Sequence, residues 1–229
     1  MKHLKRLMKI ITLAVKMEWL DKDPLQNFKL KLDKSERDYL TERELDLIEE
    51  TTFTQTGHEW VKDIFLFSCY TGLSYIDLKE LRADQVVLGI DGNHWIHTKR
   101  VKMNEAVKIP QLSKALEIIE KYNDEIGKGS TFKLLPVYSN QKTNKYLKTI
   151  AIDCGIQKKI KFYVARHTFA TTVTLSHGVP IETVSKLLGH TQLRTPQIYA
   201  RVIEQKASEY MQLLLNKLNA KDNAESRVH

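Results

Sequence analysis

Three residues in the stretch 163–201 have the chemistry to act together on one phosphate group: Arg166, His190 and Tyr199. Each is predicted to lie near a helix end, because glycine and proline residues divide the stretch into three short helices. Helix starts carry unpaired N–H groups and a positive dipole end, which favour a bound anion. The spacing therefore predicts that the three side chains converge on one anion.

Tyr199 also has a simpler interpretation, as a half-buried tyrosine in the first turn of a helix. Thr195 and Pro196 are predicted to start that helix, and Arg194 and Arg201 flank the tyrosine. Two cations and a positive helix end beside one hydroxyl group favour a phosphate nearby.

Arg166 begins an apolar run and is expected at the edge of the core, where a guanidinium needs an acceptor. That acceptor is either a structural carboxylate or a phosphate. Arg100 and Lys102 form a second basic pair. Alternate residues of a strand share a face, so these two are expected to project together from a sheet. The alternative for this pair is a solvated basic hairpin.

The chain has 229 residues and a formal net charge of +8. Nucleic acid is the leading partner class for such a chain, because Lys and Arg supply most non-specific affinity for phosphate backbones. A soluble basic protein that binds no nucleic acid is the alternative.

Hydrophobic residues make up 42% of the chain, enough to bury a core. No run approaches the roughly 18 apolar residues of a membrane-spanning helix. The first ten residues also lack the pattern of a secretory signal. Cys69 and Cys154 have no metal-ligand spacing, so neither a disulfide nor a zinc site is predicted, and both suit a reducing cytoplasm.

The hydrophobic period predicts a helix over residues 2–20, which Asp23 and Pro24 stop. A charged linker is expected over 21–40. A lone helix cannot bury its own apolar face. Residues 1–20 are therefore expected either to pack on the main domain or to be the last helix of an N-terminal domain that is otherwise absent.

The main domain is expected over 41–218, before a disordered tail at 219–229. Capping boxes at Thr41–Glu44 and Ser74–Asp77 begin two helices, with a buried helix at 60–70 between them. Three short β-rich runs, separated by turn residues, predict an antiparallel sheet: 85–89, 93–99 and 105–109. Further helices are predicted at 112–126, 142–154 and 203–218. The fold class is therefore mainly α with a small antiparallel β-sheet (α+β).

Five segments, in this order, resemble the catalytic domain of the tyrosine recombinases, the phage integrase family: FSCYTGLSYIDLKEL (67–81), TKRVKMNEAVKIP (98–110), VARHTFAT (164–171), LLGH (187–190) and TPQIYAR (195–201). The resemblance covers roughly residues 40–215 and is closest to integrases of Bacteroidetes mobile elements. It implies the DNA breaking-rejoining core fold of that family. Residues 1–20 and the linker resemble the end of the family's helical core-binding domain.

The resemblance implies that Tyr199 attacks a DNA phosphodiester, which gives a 3′-phosphotyrosyl link and a free 5′-hydroxyl. Arg166 matches the arginine that holds the non-bridging oxygens, and His190 matches a residue that hydrogen-bonds the phosphate. Lys102 matches the hairpin lysine that protonates the leaving oxygen. A hydroxyl of a partner strand reverses the step, so no metal and no other cofactor is expected.

Two positions depart from the family pattern. Ser74 stands where an arginine is usual, and a lost charge-assisted phosphate contact costs on the order of several kcal/mol. The hypothesis is that Arg100 supplies the missing charge. Tyr163 stands where a histidine is usual. A tyrosine with a pKa near 10 is a poor base, so a positioning role is expected for it.

The predicted function is a site-specific DNA recombinase or integrase that integrates or excises a mobile element. Double-stranded DNA is the expected partner, bound through Lys99, Arg194 and Arg201 among others. A homo-oligomer, dimer or tetramer, is expected on DNA, with no membrane and no small-molecule substrate. The expected location is the bacterial cytoplasm, in contact with the nucleoid.

Two alternatives remain. A DNA-binding relative with weakened or lost catalysis is consistent with the two altered positions and with a helix-turn-helix outline at 181–199. The other is cleavage without strand exchange, as in the related type IB topoisomerases.

Overall fold

The computed structural model of the chain describes residues 2–28, 38–102, 104–122 and 133–189, and helical residues at 207–208, 211–212 and 214–215. The chain divides into two compact units, Met1–Ser35 and Glu36–His229. Across these described ranges, we find no helix with the length and apolar character to span a bilayer.

The first unit contains helix α1 (Lys2–Lys16). Four of its apolar side chains, which lie on one face, are half-buried: Leu4, Met8, Ile11 and Val15. The helix is shorter than predicted, however, and ends before Pro24 is reached. Glu18 adopts a left-handed φ of 57°, and the N–H of Trp19 donates back to the Ala14 carbonyl at 2.9 Å. This backbone pattern closes a helix without help from proline.

The second unit is mainly helical and contains a small three-stranded antiparallel sheet, as predicted. Its elements are α2 (Glu42–Glu50), α3 (Thr56–Thr71), α4 (Tyr75–Glu80), β1 (Val86–Leu88), β2 (His94–Lys99), β3 (Ala106–Pro110), α5 (Ser113–Tyr122), α6 (Asn140–Asp153), α7 (Tyr163–Thr168) and α8 (Ile181–Leu188). The predicted helix at 203–218 lies largely outside the described residues, and the tail at 219–229 lies wholly outside them.

Helix α3 forms the centre of the core, as its apolar sequence predicts. Several of its side chains are fully buried: Val61, Ile64, Phe65, Phe67 and Cys69. A helix that is apolar on all sides is stable only when other elements surround it. It ends at Gly72, which has a left-handed φ of 66°. A Cβ atom there would lie 2.6 Å from a ring carbon of Phe169, so glycine permits the close approach of α3 to the chain that continues α7.

The three strands form at the predicted positions, to within about a residue. The predicted turn residues Gly92 and Asn104 have positive φ angles, 76° and 53°. Ile96 and its cross-strand partner Ile109 are buried, whereas His97 and its partner Lys108 are exposed. The sheet thus packs one face on the core and presents the other to solvent, as antiparallel sheets often do.

Helix α7 continues as a π-helix over Phe169–Thr174 and a 3₁₀ turn over Leu175–His177. The hydroxyl of Thr171 donates to the His167 carbonyl at 2.7 Å, and Thr174 donates to the Phe169 carbonyl at 2.9 Å. Hydroxyl groups that compete for helix carbonyls favour such a widened turn. The sequence predicts the end at Gly178 correctly but not the widening.

Residues 39–41, which lead into α2, are hydrogen-bonded to the α7 region. The N–H of Leu40 donates to Thr168 Oγ1 at 3.0 Å, and the Leu40 carbonyl accepts from the Thr172 hydroxyl. Lys158 Nζ donates to the Tyr39 carbonyl at 3.0 Å. Leu40 is fully buried, so its two backbone groups depend on these threonine hydroxyls.

Replacement of Thr168 by valine should destabilise the second unit by about 1–3 kcal/mol, because the buried N–H of Leu40 loses its acceptor while the side-chain shape is kept. Urea or thermal unfolding measures this change. The matched control is Thr168→Ser, which keeps the hydroxyl and loses one methyl group. A Thr168→Val protein at least as stable as Thr168→Ser would contradict the role of this hydrogen bond.

Candidate active site

The C-terminal end of α8 is the centre of the candidate site. The last four carbonyl groups of any helix lack partners within the helix. In α8, Gly189 adopts a left-handed φ of 66°, and its N–H returns to the carbonyls of Ser185 and Lys186. Two carbonyls, those of Leu187 and Leu188, are left for other donors.

Two arginines from distant parts of the chain donate to these two carbonyls. Arg100 Nη2 lies 2.8 Å from the Leu187 oxygen, and Arg166 Nη2 lies 2.5 Å from the Leu188 oxygen. Cations at the negative end of a helix dipole are favourable in addition to the hydrogen bonds. The end of α8 therefore brings the two guanidinium groups close together.

Arg166 lies in the last turn of α7 and is half-buried. Its Nη1 atom donates to the Gly72 carbonyl at 2.8 Å. Two acceptors of Arg166 are therefore backbone carbonyls, those of Gly72 and Leu188. The arginine is thus held from two sides, by the end of α3 and by the end of α8.

Arg100 is only 2% exposed. Its Nη1 atom forms an ion pair with Asp77 Oδ2 at 3.1 Å, and its buried Nε has no acceptor among the described residues. Burial lowers the pKa of Arg100, and the Asp77 charge opposes that effect without cancelling it. The guanidinium therefore retains a donor that is not yet used.

Asp77 connects the start of α4 to the hairpin of β2 and β3. Besides Arg100, its carboxylate accepts the Ser74 hydroxyl at 2.6 Å and the N–H of Val101 at 2.9 Å. Burial raises the pKa of Asp77, but the hydrogen bonds from Ser74 and Val101 and the charge of Arg100 outweigh burial and hold that pKa below its ordinary value. Ser74 and Asp77 form the predicted capping box.

The expectation that Arg100 and Lys102 share one strand face is wrong. Strand β2 ends at Lys99, and residues 101–102 form a turn. The N–H of Arg100 donates to the Glu105 carbonyl at 2.8 Å, which closes this turn. Arg100 is buried and Lys102 is exposed, because the period of two no longer holds once the strand has ended.

The structure brings Arg100 and Arg166 together at the end of α8, and Ser74 is connected to Arg100 through the carboxylate of Asp77. Lys99 and Lys102 are exposed. Tyr163 is 49% exposed and places its ring edge-on to that of His167, with centroids 5.9 Å apart. The remaining predicted site residues lie outside the described residues: His190, Arg194, Tyr199 and Arg201.

The sequence reveals only part of what Asp77 and Gly189 do. It predicts a capping role for Asp77, but not the ion pair with a residue of the hairpin. It predicts a helix end at Gly189, but not the contact with Arg100 at that end. The burial of Arg100, which makes a carboxylate partner necessary, is visible only in the structure.

Among the described residues, no group of His, Cys, Asp and Glu side chains could hold a metal ion. Cys69 and Cys154 are free thiols in the core, and burial raises the pKa of Cys69. The chemistry available at this site is that of guanidinium groups and hydrogen-bond donors, which suits a phosphate ester.

Comparison with protein families and curated sequences identifies similar proteins. Residues 38–206 match the model of the phage integrase family. A tyrosine recombinase of Pseudothermotoga lettingae is 36% identical over 114 residues, which are 47% of this chain and 38% of the relative. Tyrosine recombinase XerD of Listeria monocytogenes serotype 4b is 31% identical over 144 residues, which are 58% of this chain and 46% of the relative. The chain spans less than half the length of either relative.

Comparison with solved structures confirms the expected core fold. The structure of a lambda integrase dimer bound to a COC′ core site has a TM-score of 0.67 and 17% identity, with 84% of this chain and 69% of that chain covered. At this identity the likeness establishes a shared fold.

Replacement of Asp77 by asparagine should lower the free energy of unfolding at neutral pH by about 3 kcal/mol, because a buried guanidinium loses its counter-charge. The folded pKa of Asp77 is lowered, so its contribution is complete above the unfolded value of about 4 and disappears as pH falls through the folded value. Denaturation of both proteins between neutral and acidic pH measures the difference. A gap that stays constant on acidification would rule out the charge of Asp77 as its source.

Proposed function

Since the chain belongs to the phage integrase family, we propose that it is a site-specific DNA recombinase that cleaves and rejoins DNA through a 3′-phosphotyrosyl intermediate. The observation that carries this proposal is the pair of arginines at the end of α8, Arg100 and Arg166, on adjacent backbone carbonyls. Two fixed cations side by side suit the non-bridging oxygens of one phosphodiester as they gain charge in the transition state.

The proposed reaction needs few groups. The hydroxyl oxygen of Tyr199 attacks phosphorus as its proton passes to water, the bond from phosphorus to the 5′ oxygen breaks, and the exposed Lys102 gives the leaving oxygen a proton. His190, which follows the end of α8 directly in the chain, donates a hydrogen bond to the phosphate. The 5′-hydroxyl of a partner strand later attacks the phosphotyrosyl bond and releases Tyr199, so bond energy is conserved without a cofactor.

Arg100 is proposed to supply the charge that Ser74 lacks. The two residues share the carboxylate of Asp77, which supports a position for Arg100 beside residue 74. The buried Nε of Arg100 has no acceptor among the described residues. Tyr163, exposed at the start of α7, is proposed to position the nucleophile rather than to remove its proton.

A weakened or inactive DNA-binding relative is the second candidate. The single hydroxyl proton of Ser74 is donated to Asp77 at 2.6 Å, so this side chain has no proton left for a phosphate. Arg100 is itself held by Asp77 and by Leu187. If these contacts persist on DNA, the phosphate receives less positive charge and cleavage is slow.

Double-stranded DNA is the proposed partner, with Lys99, Arg194 and Arg201 on its backbone. One tyrosine attacks one strand, so cleavage of both strands at one site requires a dimer and exchange between two sites requires a tetramer. We propose integration or excision of a mobile element, of Bacteroidetes type by its motifs, in the bacterial cytoplasm at the nucleoid.

Helix α1 is proposed to belong to an N-terminal DNA-clamping domain. Apolar side chains outside its half-buried face are exposed: Leu7, Ile10 and Leu13. Their exposure supports packing against further helices of such a domain, because a helix that is apolar on several sides requires several neighbours.

A nicked suicide substrate that carries the target site should trap a covalent protein–DNA complex, because loss of the short cleaved strand prevents religation. Tyr199→Phe should abolish this complex, since it removes the attacking oxygen. Tyr163→Phe is the matched comparison: it should still form the complex, but more slowly, because it loses a hydroxyl group proposed to position the nucleophile and keeps the attacking one. Gel electrophoresis under denaturing conditions reads both results. A complex that survives Tyr199→Phe would exclude Tyr199 as nucleophile, and binding without any complex in the wild-type protein would favour the inactive relative.

Replacement of Arg100 by alanine should slow covalent-complex formation about 10²–10³-fold, as severely as Arg166→Ala, because a donor to the transition-state charge is lost. A substrate with a neutral methylphosphonate at the scissile position needs less positive charge and should restore much of the rate. The control is Lys99→Ala, on the exposed end of β2. It should weaken DNA binding and lower the slope of log affinity against log salt concentration by about one. The methylphosphonate substrate should not restore its rate. A near-normal rate for Arg100→Ala would eliminate this role.

A further inference from the structure

We propose that Gly189 is a positioning residue for Arg100, because a residue without a side chain lets the hairpin arginine reach the end of α8. This inference rests on the proposed function, in which Arg100 neutralises the scissile phosphate. The end of α8 alone does not require glycine at this position, because asparagine can also close a helix. The contact with Arg100 is the additional requirement.

The space beside Gly189 is filled by the hairpin. A Cβ atom at this position would lie 2.9 Å from Val107 Cγ1, 3.0 Å from Arg100 Cγ and 3.4 Å from Arg100 Nε. The first two separations are shorter than ordinary van der Waals contact between carbon atoms. Both neighbours are buried, so neither can move away into solvent.

Two separate demands therefore meet at Gly189. The left-handed φ of 66° closes α8 and returns its N–H to the helix, a demand that asparagine also meets in many proteins. The close approach of Arg100 is the second demand, and only glycine meets it. Any side chain at 189 would push the guanidinium away from the Leu187 carbonyl, which it reaches at 2.8 Å.

The contact also fixes the relative position of two chain segments that carry proposed catalytic groups. His190 is the next residue after Gly189, and Lys102 lies two residues after Arg100. A displacement of the hairpin relative to α8 would change the distance between these groups and the phosphate. Displacements of about 1 Å can lower an enzymatic rate about 100-fold.

The chain contains a matched control for the backbone demand. Gly155 closes α6 with a left-handed φ of 69°, and a Cβ atom there would meet nothing within 4 Å. Gly155→Ala thus carries the same backbone penalty as Gly189→Ala without the contact. The rate of covalent-complex formation on the suicide substrate should fall about 10- to 100-fold for Gly189→Ala and stay near wild type for Gly155→Ala.

A double-mutant cycle separates positioning from a general loss of structure. If Gly189 acts through Arg100, adding Gly189→Ala to Arg100→Ala should change the rate by no more than about twofold, because the side chain to be positioned is already gone. The methylphosphonate substrate should also relieve the defect of Gly189→Ala. The proposal would be overturned if Gly189→Ala and Gly155→Ala formed the covalent complex at equal rates. It would also be overturned if the effects of Gly189→Ala and Arg100→Ala on the rate were fully additive.

The same double-mutant cycle of Gly189→Ala and Arg100→Ala can be measured on the free energy of unfolding. This measurement tests the contact between residues 189 and 100 in the absence of DNA. Coupling between Gly189→Ala and Arg100→Ala is expected, and Gly155→Ala should show none. If Gly189→Ala does not fold, the double variant Val107→Ala/Gly189→Ala takes its place. It removes the contact of the new Cβ atom with Val107 and keeps the contact with Arg100. This protein should fold but cleave DNA slowly. A wild-type protein that never forms a covalent complex overturns the proposed function, whereas additive unfolding energies overturn the contact itself.

Discussion

The unpaired carbonyls at the end of α8 are the constraint on which the candidate site depends. A helix end inside a protein must find donors for these groups, and here backbone geometry satisfies two of them while arginine side chains satisfy the other two. Arg100 reaches its carbonyl across 87 residues of sequence. The need of α8 for hydrogen-bond donors at its end thereby brings the hairpin, helix α7 and the end of α3 into contact with it through Arg100 and Arg166.

The carboxylate of Asp77 is the second organising group, and it connects Ser74 to Arg100. A buried carboxylate is stable only with several donors around it, and Asp77 collects donors from the start of α4 and from the hairpin. The positive charge beside Asp77 is that of Arg100, at the end of the β-hairpin. Because both members of the pair are at least 96% buried, the pair favours one particular arrangement of the hairpin.

Local patterns in the sequence were sufficient to predict most elements of the fold. The turns at Gly92 and Asn104 and the capping boxes at Thr41 and Ser74 follow from the preferences of single residues and their close neighbours. The orientation of Arg100 did not follow, because a strand boundary at Lys99 changes which face the next residues occupy. The ion pair of Asp77 with Arg100 joins residues 23 positions apart, and no local rule reports such a contact. For the same reason, the partners of Arg166 were not predicted.

The hydrogen bonds of Leu40 have a consequence for the synthesis of the chain. The hydroxyl groups that bond its backbone, those of Thr168 and Thr172, lie 128 and 132 residues further along the sequence. A ribosome must therefore produce most of the second unit before the segment that leads into α2 can complete its bonding. Contacts between such distant residues slow folding, and until they form, the apolar surface of α3 stays open to chaperones and to aggregation. Release of the α7 region from the ribosome is thus the step that allows the unit to close.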